Sequence, residues 1–480
     1  MHIVDQIYFW ARTIPRRPAI IQPSGIITYQ ALAEGIERAA EYFARNLTDR
    51  SKRVTVSLQS GPKMLVASLG LLRANCSIIV ANRPDLSDIP HSDSNALVYE
   101  RGETPLRDRT NIIFDESWLE VGTNLSRLSP PLNQSKKRHP DIIFFSSGTT
   151  GKPKRIVRTQ EALDHCVHGA SAFDNYERAL LSTDVNSPVG FMQAYEILNA
   201  GKTICFAPPG PPMLWLANTY DVDLIIASQQ QALALADLQE KFTHYSLAAL
   251  KTVNVCGPML FGDGIRRIKR NLCRNVILTY STAEVGIVAV ASHDMITDLP
   301  GAVGYVMPGV DVEIVDTAGR VLPIGKEGFV RVRSLVLAEN LAGGGSSDEW
   351  FYPGDLGWLT ETNVLCIACS ATDAINRGGE KLSITDVEEF LLNCLGVKDA
   401  GVCTVTGRNG LSEVWVGLVL ERSADVAALR HTIESNPQLK NNIDRIFIVE
   451  AIPRGLLGKV QSDELEKMLN YIGAENGWPA

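Results

Sequence analysis

Short apolar runs alternate with amphipathic stretches along most of the chain. Arg53–Leu58, Ser77–Ala81, Ile142–Phe145, Thr203–Ala207, Leu224–Ala227 and Val276–Tyr280 are runs of four to six residues dominated by apolar side chains. Runs of that length and composition read as buried strands. Between them, Tyr29–Arg45 and Pro62–Arg73 repeat their apolar positions at helical spacing. Such alternation predicts α/β layers with mostly parallel sheets. After about Thr372 the pattern becomes shorter and self-contained. A helix is expected near Ile384–Cys394, with acidic residues in its first turns where the helix dipole favours them. Strands Ala400–Val405 and Val414–Leu420 follow, then a helix near Asp425–Ser435, a strand Arg445–Val449 and a last helix from Ser462. The expected architecture is a large N-terminal α/β domain over residues 1–371 and a small α+β C-terminal domain over 372–480.

Two stretches interrupt the pattern. Ser126–Pro140 is rich in Pro, Ser, Asn and basic residues and reads as a surface linker. Ala338–Asp348 contains Gly343-Gly344-Gly345-Ser346-Ser347 and reads as a mobile loop. No internal repeat or low-complexity tract is visible.

At 480 residues the chain is too long for one ordinary core. Its 45% hydrophobic and 21% charged residues are ordinary for a globular protein. The net charge of −8 argues against a general nucleic-acid binder. The nine cysteines are scattered and odd in number, which suits a reducing compartment. Cys366 and Cys369 form a C-x-x-C without a second pair nearby, inside a run that alternates like a strand. No signal-peptide core and no run of about 18 apolar residues occurs, so a cytoplasmic protein without a membrane span is expected.

The strand Ile142–Phe145 leads into Ser146-Ser147-Gly148-Thr149-Thr150-Gly151-Lys152-Pro153-Lys154. Glycines let backbone N–H groups close around an anion. Hydroxyls and lysines add donors and positive charge. Arg155 and Arg158 extend the basic cluster. The spacing of a Walker A loop is absent. What remains is a different kind of polyphosphate cradle.

This string closely resembles the phosphate loop of the acyl-adenylate-forming enzymes: acyl-CoA synthetases, aryl-acid ligases and peptide-synthetase adenylation domains. The resemblance recurs in order along nearly the whole chain. Ile27–Leu32, Leu71–Ala74 and Gly301–Asp316 are similar to scaffold motifs of that family. Tyr280-Ser281-Thr282-Ala283-Glu284, Tyr352-Pro353-Gly354-Asp355 and Pro453-Arg454-Gly455-Leu456-Leu457-Gly458-Lys459-Val460 are similar to its chemical motifs.

The resemblance implies a role for each. Ser146, Ser147, Gly148, Thr149, Thr150, Gly151 and Lys154 would hold the phosphates of ATP. Tyr280 would offer a flat face to adenine. Glu284 would carry Mg²⁺, which takes a few hard oxygens and keeps its waters and phosphates. Asp355 would accept hydrogen bonds from both ribose hydroxyls. Lys459 would stabilise the charge that develops as a carboxylate attacks the α-phosphate. The small domain would be mobile, and Gly378-Gly379 would border the channel for a pantetheine thiol of CoA or of an acyl or peptidyl carrier protein.

For the acid, amino-acid-activating members of the family use an aspartate where this chain has Pro188. An α-amino acid is therefore disfavoured. Asn186 and Ala283 occur in some aryl-acid-activating members and lean the reading towards an aryl acid. Phe191, Met192 and Tyr195 are candidates for an apolar pocket, with Gly257-Pro258 as its wall.

The chain also departs from the family pattern. Arg155 stands where glycine is usual, Pro353 where threonine is usual, and Ser281 and Ala283 differ from the usual Tyr-Gly-x-Thr-Glu. Ser370 replaces a nucleotide-binding arginine and Thr372 the hinge residue. An arginine offers five donors and a fixed charge that serine lacks. The leading expectation is an AMP-forming acid–thiol ligase. Its rivals are a degenerate member that binds nucleotide or acyl-adenylate without turnover, and a member that ends in amide formation.

Overall fold

The computed structural model describes residues 4–47, 53–81, 86, 89, 93–106, 109–120, 140–146, 154–159, 162, 175–256, 262–299, 301–334, 350–370, 374–377, 380–406, 412–421, 424–436, 443–454 and 460–473. The contacts group into two compact units. The first comprises Met1–Asp298, Val303–Val312 and Arg331–Phe351. The second comprises Leu299–Ala302, Glu313–Val330 and Tyr352–Ala480.

The first unit holds two sheets. One runs Thr110–Ile113, Ala96–Tyr99, Val54–Ser57, Ile78–Val80, Ile142–Ser146, Lys154–Arg158, in that spatial order. Its strands are parallel except the last, which returns antiparallel along the edge. The other sheet carries a parallel core of Val276–Thr282, Thr252–Cys256, Leu224–Ser228, Arg178–Leu181, Thr203–Cys205 and Pro18–Gln22. Antiparallel strands Gly286–Ser292 and Gly25–Thr28 flank it. Strands of a parallel sheet are covered on both faces, which is why their sequences read as unbroken apolar runs. Leu224–Ser228 is buried at every position.

Helices Tyr29–Asn46 and Gly61–Arg73 pack on each other. Thr28 caps the first, its hydroxyl accepting from the Ala31 N–H at 3.2 Å. At Gly70 an added Cβ would stand 2.6 Å from that of Ala39, so this crossing admits no side chain there. Where the two helices meet the first helix, Asp5–Thr13, a polar knot is buried. Arg73 Nε donates to Glu37 Oε1 at 2.9 Å and its guanidinium covers the Tyr8 ring at 5.3 Å.

In the second unit, Val397–Thr406 pairs antiparallel with Ser412–Leu420, which pairs parallel with Arg445–Ile448. Period-two alternation sorts their side chains into two clusters. Ala400, Val402, Val414, Val416, Leu418 and Ile446 pack with helices Ile384–Leu392 and Val426–Glu434. Cys403, Val405, Trp415 and Phe447 pack with Leu465 and Leu469 of helix Ser462–Ile472. This is the α+β module read from the sequence. The same unit holds the antiparallel pair Asp355–Leu359 and Val364–Ser370. Cys366 lies buried in that pair as a free thiol. The linker and glycine-rich loop expected at 126–140 and 338–348 lie outside the described residues except at Pro140.

No helix among the described residues is long and apolar enough to cross a membrane.

Candidate active site

In the parallel sheet of the first unit, three strands end in the segments marked by the motifs. Arg178–Leu181 leads to Asn186, Thr252–Cys256 leads to Gly257, and Val276–Thr282 leads to Ala283-Glu284. The carboxyl ends of parallel strands are where open α/β sheets bind ligands. Side chains far apart in sequence therefore gather at one end of one sheet.

The Asn186 segment is built tightly. Ser187 caps helix Pro188–Asn199, its hydroxyl accepting from the Gly190 N–H at 3.0 Å and donating to the Asp184 carbonyl at 2.6 Å. Pro188 takes the first helical turn, where its missing N–H costs nothing. Gly190 is required by contact, since a Cβ there would lie 2.0 Å from the Asp184 oxygen. Asn186 is buried, and its Nδ2 donates to the Leu58 carbonyl at 3.0 Å and to Asp184 Oδ1 at 3.2 Å. Both partners only accept, which fixes the amide orientation. Its Oδ1 is buried with no hydrogen-bond partner among the described residues. Phe191 and Tyr195 are buried in the main core, Phe191 edge-on to Phe144 at 5.8 Å, while Met192 is partly buried against it.

Tyr280 lies where the ladder with Gly286–Ser292 shifts register, the extra residue being Val288 on the facing strand. A bulge re-aims side chains at the end of a ladder. The turn Ala283-Glu284-Val285 follows, with the Val285 N–H donating to Thr282 Oγ1 at 3.0 Å. Tyr280 and Glu284 are partly exposed, while Val285 is buried and anchors the turn.

Of the phosphate loop, only its flanks lie among the described residues. Ser146 and Lys154 face each other as the closing pair of an antiparallel hairpin. Ser147, Gly148, Thr149, Thr150 and Gly151 lie outside the described residues, as do Gly257, Gly378-Gly379, Thr372 and Lys459. The basic cluster is more divided than its sequence suggests. Register puts Arg158 opposite Ile142, four residues down the strand from Lys154. Arg158 is buried, and its Nη2 donates to the Ala283 carbonyl at 2.7 Å. Arg155 pairs with Asp93 at 3.9 Å.

Sequence reasoning missed Glu196 and Gln193. Gln193 Nε2 donates to Cys256 Sγ at 3.2 Å, and its Oε1 accepts from the Thr183 hydroxyl at 2.9 Å. Burial pushes the Cys256 thiol up to about 12, so it is no nucleophile at neutral pH. Glu196 retains some surface as a residue, yet its carboxyl is enclosed. Burial pushes it up to about 8, while Arg158 pulls the other way. The warning sign was a glutamate in a mostly apolar helix.

Glu196 gives a stability prediction. The folded chain keeps its proton up to about pH 8, whereas the unfolded chain releases it near the ordinary 4.5. Stability should therefore fall as pH rises through that window. Against Glu196→Gln, the native chain should lose several kcal/mol between the two ends, at about 1.4 kcal/mol for each pH unit of that window. Urea denaturation at both ends measures this, and parallel pH profiles for the two proteins would contradict it.

In the second unit, Asp355 opens a strand directly after Gly354, whose φ is +88°. That left-handed turn suits glycine. Asp355 is the register partner of Ser370. The expected ribose ligand and the position of the missing arginine are thus backbone neighbours.

A model of the AMP-binding enzymes matches residues 8–340. The vibriobactin-specific 2,3-dihydroxybenzoate-AMP ligase of Vibrio cholerae is 24% identical, covering 98% of this chain and 94% of its own length. The solved O-succinylbenzoate coenzyme A synthetase of Bacillus subtilis, in complex with AMP, shares the fold at a TM-score of 0.80, with 18% identity over 96% of this chain and 98% of its own. The amide bond synthetase McbA of Marinactinospora thermotolerans does so at 0.75, with 19% identity over 96% of this chain and 99% of its own.

Proposed function

Because this chain belongs to the AMP-binding enzymes, we propose that it activates a carboxylic acid as acyl-AMP and passes the acyl group to a pantetheine thiol. The observation that carries the reading is the gathering of Asn186 and Tyr280–Glu284 just past the carboxyl ends of parallel strands of one sheet.

A carboxylate is a poor acyl donor because its leaving group would be oxide. Attack of its oxygen on the α-phosphate of ATP forms the acyl-phosphate anhydride bond of acyl-AMP and expels pyrophosphate. Both reactants are anions, so the barrier is partly electrostatic. Lys459 supplies positive charge where carboxylate and α-phosphate meet. Ser146–Gly151 and Lys154 hold the phosphates, Tyr280 stacks on adenine, and Asp355 accepts from the ribose hydroxyls.

Among the described residues no cluster of three His, Cys, Asp or Glu could hold a metal by itself. The carboxylate of Glu284 fits Mg²⁺, which binds through one or two carboxylates, phosphate oxygens and water. When bound, Mg²⁺ neutralises phosphate charge and supports the leaving pyrophosphate.

An aryl acid is the favoured substrate, with Asn186 and Gly257 at its pocket and Phe191 behind it. The homology to an aryl-acid ligase supports this preference. The buried, unpaired Oδ1 of Asn186 suits a substrate donor. In the second half-reaction the thiol of CoA, or of a carrier protein, displaces AMP, with Gly379 beside its path. A cytoplasmic location and a small domain from 372, hinged near Thr372, complete the proposal. Likeness to an amide bond synthetase keeps an amine acceptor as the second reading.

ATP–pyrophosphate exchange over a panel of aryl, short-chain and long-chain acids tests the first half-reaction. Exchange should be fastest with an aryl acid. No exchange with any acid, alongside measurable ATP binding, would return the degenerate reading. Asp355→Ala should weaken ATP binding by about tenfold to a hundredfold, because two charge-assisted bonds go together. Unchanged affinity by calorimetry would remove Asp355 from the ribose site.

A further inference from the structure

Arg158 lies on the edge strand of the six-stranded sheet, and its side chain crosses to a turn of the other sheet. It is 2% exposed. Its Nη2 donates to the Ala283 carbonyl at 2.7 Å. Ala283 directly precedes Glu284. Because a peptide unit is planar, fixing the Ala283 carbonyl fixes the amide plane on which the Glu284 Cα is built. The other end of the turn is held by the Val285 N–H on Thr282 Oγ1 and by the burial of Val285.

The same guanidinium is within electrostatic reach of the Glu196 carboxyl, on the helix that carries Gln193. Gln193 in turn ties that helix to Cys256, the last residue of the strand before Gly257. A buried charge at this place thus touches the turn of Glu284 directly and the helix beside the acid segment through space. A charged donor makes a stronger bond to a carbonyl than a neutral one. It also holds a fixed direction, because the guanidinium is planar.

We infer that Arg158 is a positioning residue: it pins the Ala283 carbonyl and thereby aims the Glu284 carboxylate at the metal–nucleotide complex. The inference rests on the proposed role of Glu284.

The test compares Arg158→Met and Arg158→Lys with the native chain by hydrogen exchange, by calorimetric titration with ATP and Mg²⁺, and by pyrophosphate-exchange kinetics. In Arg158→Met, exchange of the amides over 283–286 should quicken about tenfold, the worth of one lost charge-assisted bond. Helix Gly61–Arg73 should stay as protected as before. MgATP affinity should fall about tenfold, and the KM for MgATP should rise in step, while the KM for the acid moves by no more than about twofold. Arg158→Lys keeps a charged donor and should recover part of both effects.

Unchanged exchange over the turn overturns the inference. So does a loosened turn with unchanged MgATP affinity, which would make Arg158 a structural brace only. If Arg158→Met loses protection throughout, Arg158→Lys decides: intact protection in the helix with weaker MgATP binding supports the inference, and native affinity overturns it. If the native chain exchanges pyrophosphate with no acid, the reading of the reaction fails, and hydrogen exchange with MgATP calorimetry still decides the role of Arg158.

Discussion

Lys459→Ala should lower acyl-adenylate formation by about 10²–10³, the usual cost of removing one preorganised donor to developing charge. Before reaction, the carboxylate and the triphosphate are each stabilised by their own contacts. As the new oxygen–phosphorus bond forms, negative charge concentrates between them, and the lysine is needed only there. An interaction made only in the transition state lowers kcat and kcat/KM together. ATP affinity by calorimetry should therefore stay near native, and the loss should appear in pyrophosphate exchange. The second half-reaction gives a further check. Synthetic acyl-AMP offered to Lys459→Ala should still yield thioester, because the anhydride is already made. Native exchange rates in the variant would transfer the role to another cation. Equal losses in both half-reactions would point to misfolding or to a shared step.

The largest effect on stability should come from Arg73→Met, at about 3–5 kcal/mol. Arg73, Glu37 and Tyr8 are all buried where three helices meet. Arg73 Nε donates to Glu37 Oε1 at 2.9 Å and its charge covers the Tyr8 ring. Burial, together with Glu37, holds the Tyr8 phenol well above its ordinary range, so the phenol stays neutral. Methionine fills much of the volume but strands the Glu37 carboxylate without its cation. An uncompensated buried charge is what makes one-sided removal costly. Arg73→Met combined with Glu37→Leu should recover most of the loss, since replacing both partners by apolar groups is often near neutral. Urea denaturation of the single and double variants measures the difference. A single variant as stable as the native chain would mean the knot carries no net stability.

Much of the fold was legible because parallel strands and packed helices leave strong periodic traces. Tyr29–Arg45 and Pro62–Arg73 appear as helices Tyr29–Asn46 and Gly61–Arg73. The run Val276–Tyr280 extends two residues to Thr282, where Ser281 and Thr282 pair with Ile287 and Gly286 beyond a bulge at Val288 of the facing strand. Local pattern cannot announce a bulge of that kind. The small module was legible for the same reason, since its three strands alternate cleanly between two packed faces.

The site was legible where chemistry follows sequence order and hidden where it depends on register. The motif around Tyr280–Glu284 could be read as a string. Its tie to Arg158 could not, because 125 residues separate the two partners. In the sequence, Arg158 looked like one more cation for phosphate. Hairpin register instead carries it away from the loop and buries it. Glu196 was hidden likewise: its carboxyl becomes unusual only when helix Pro188–Asn199 encloses it near Arg158 and Cys256. Nor could the departure at Ser370 be placed from sequence. Pairing across the strands puts it beside Asp355, so Ser370→Arg tests nucleotide affinity at the very position where the family's arginine is missing.

The central claim is that a carboxylate oxygen of the substrate attacks the α-phosphate of ATP. The direct measurement is a reaction run with an aryl acid whose carboxylate carries ¹⁸O at both oxygens, with the products weighed by mass spectrometry. The account predicts one ¹⁸O in AMP and one in the acyl product, with none in pyrophosphate. Label in inorganic phosphate, or AMP formed without label, would contradict it.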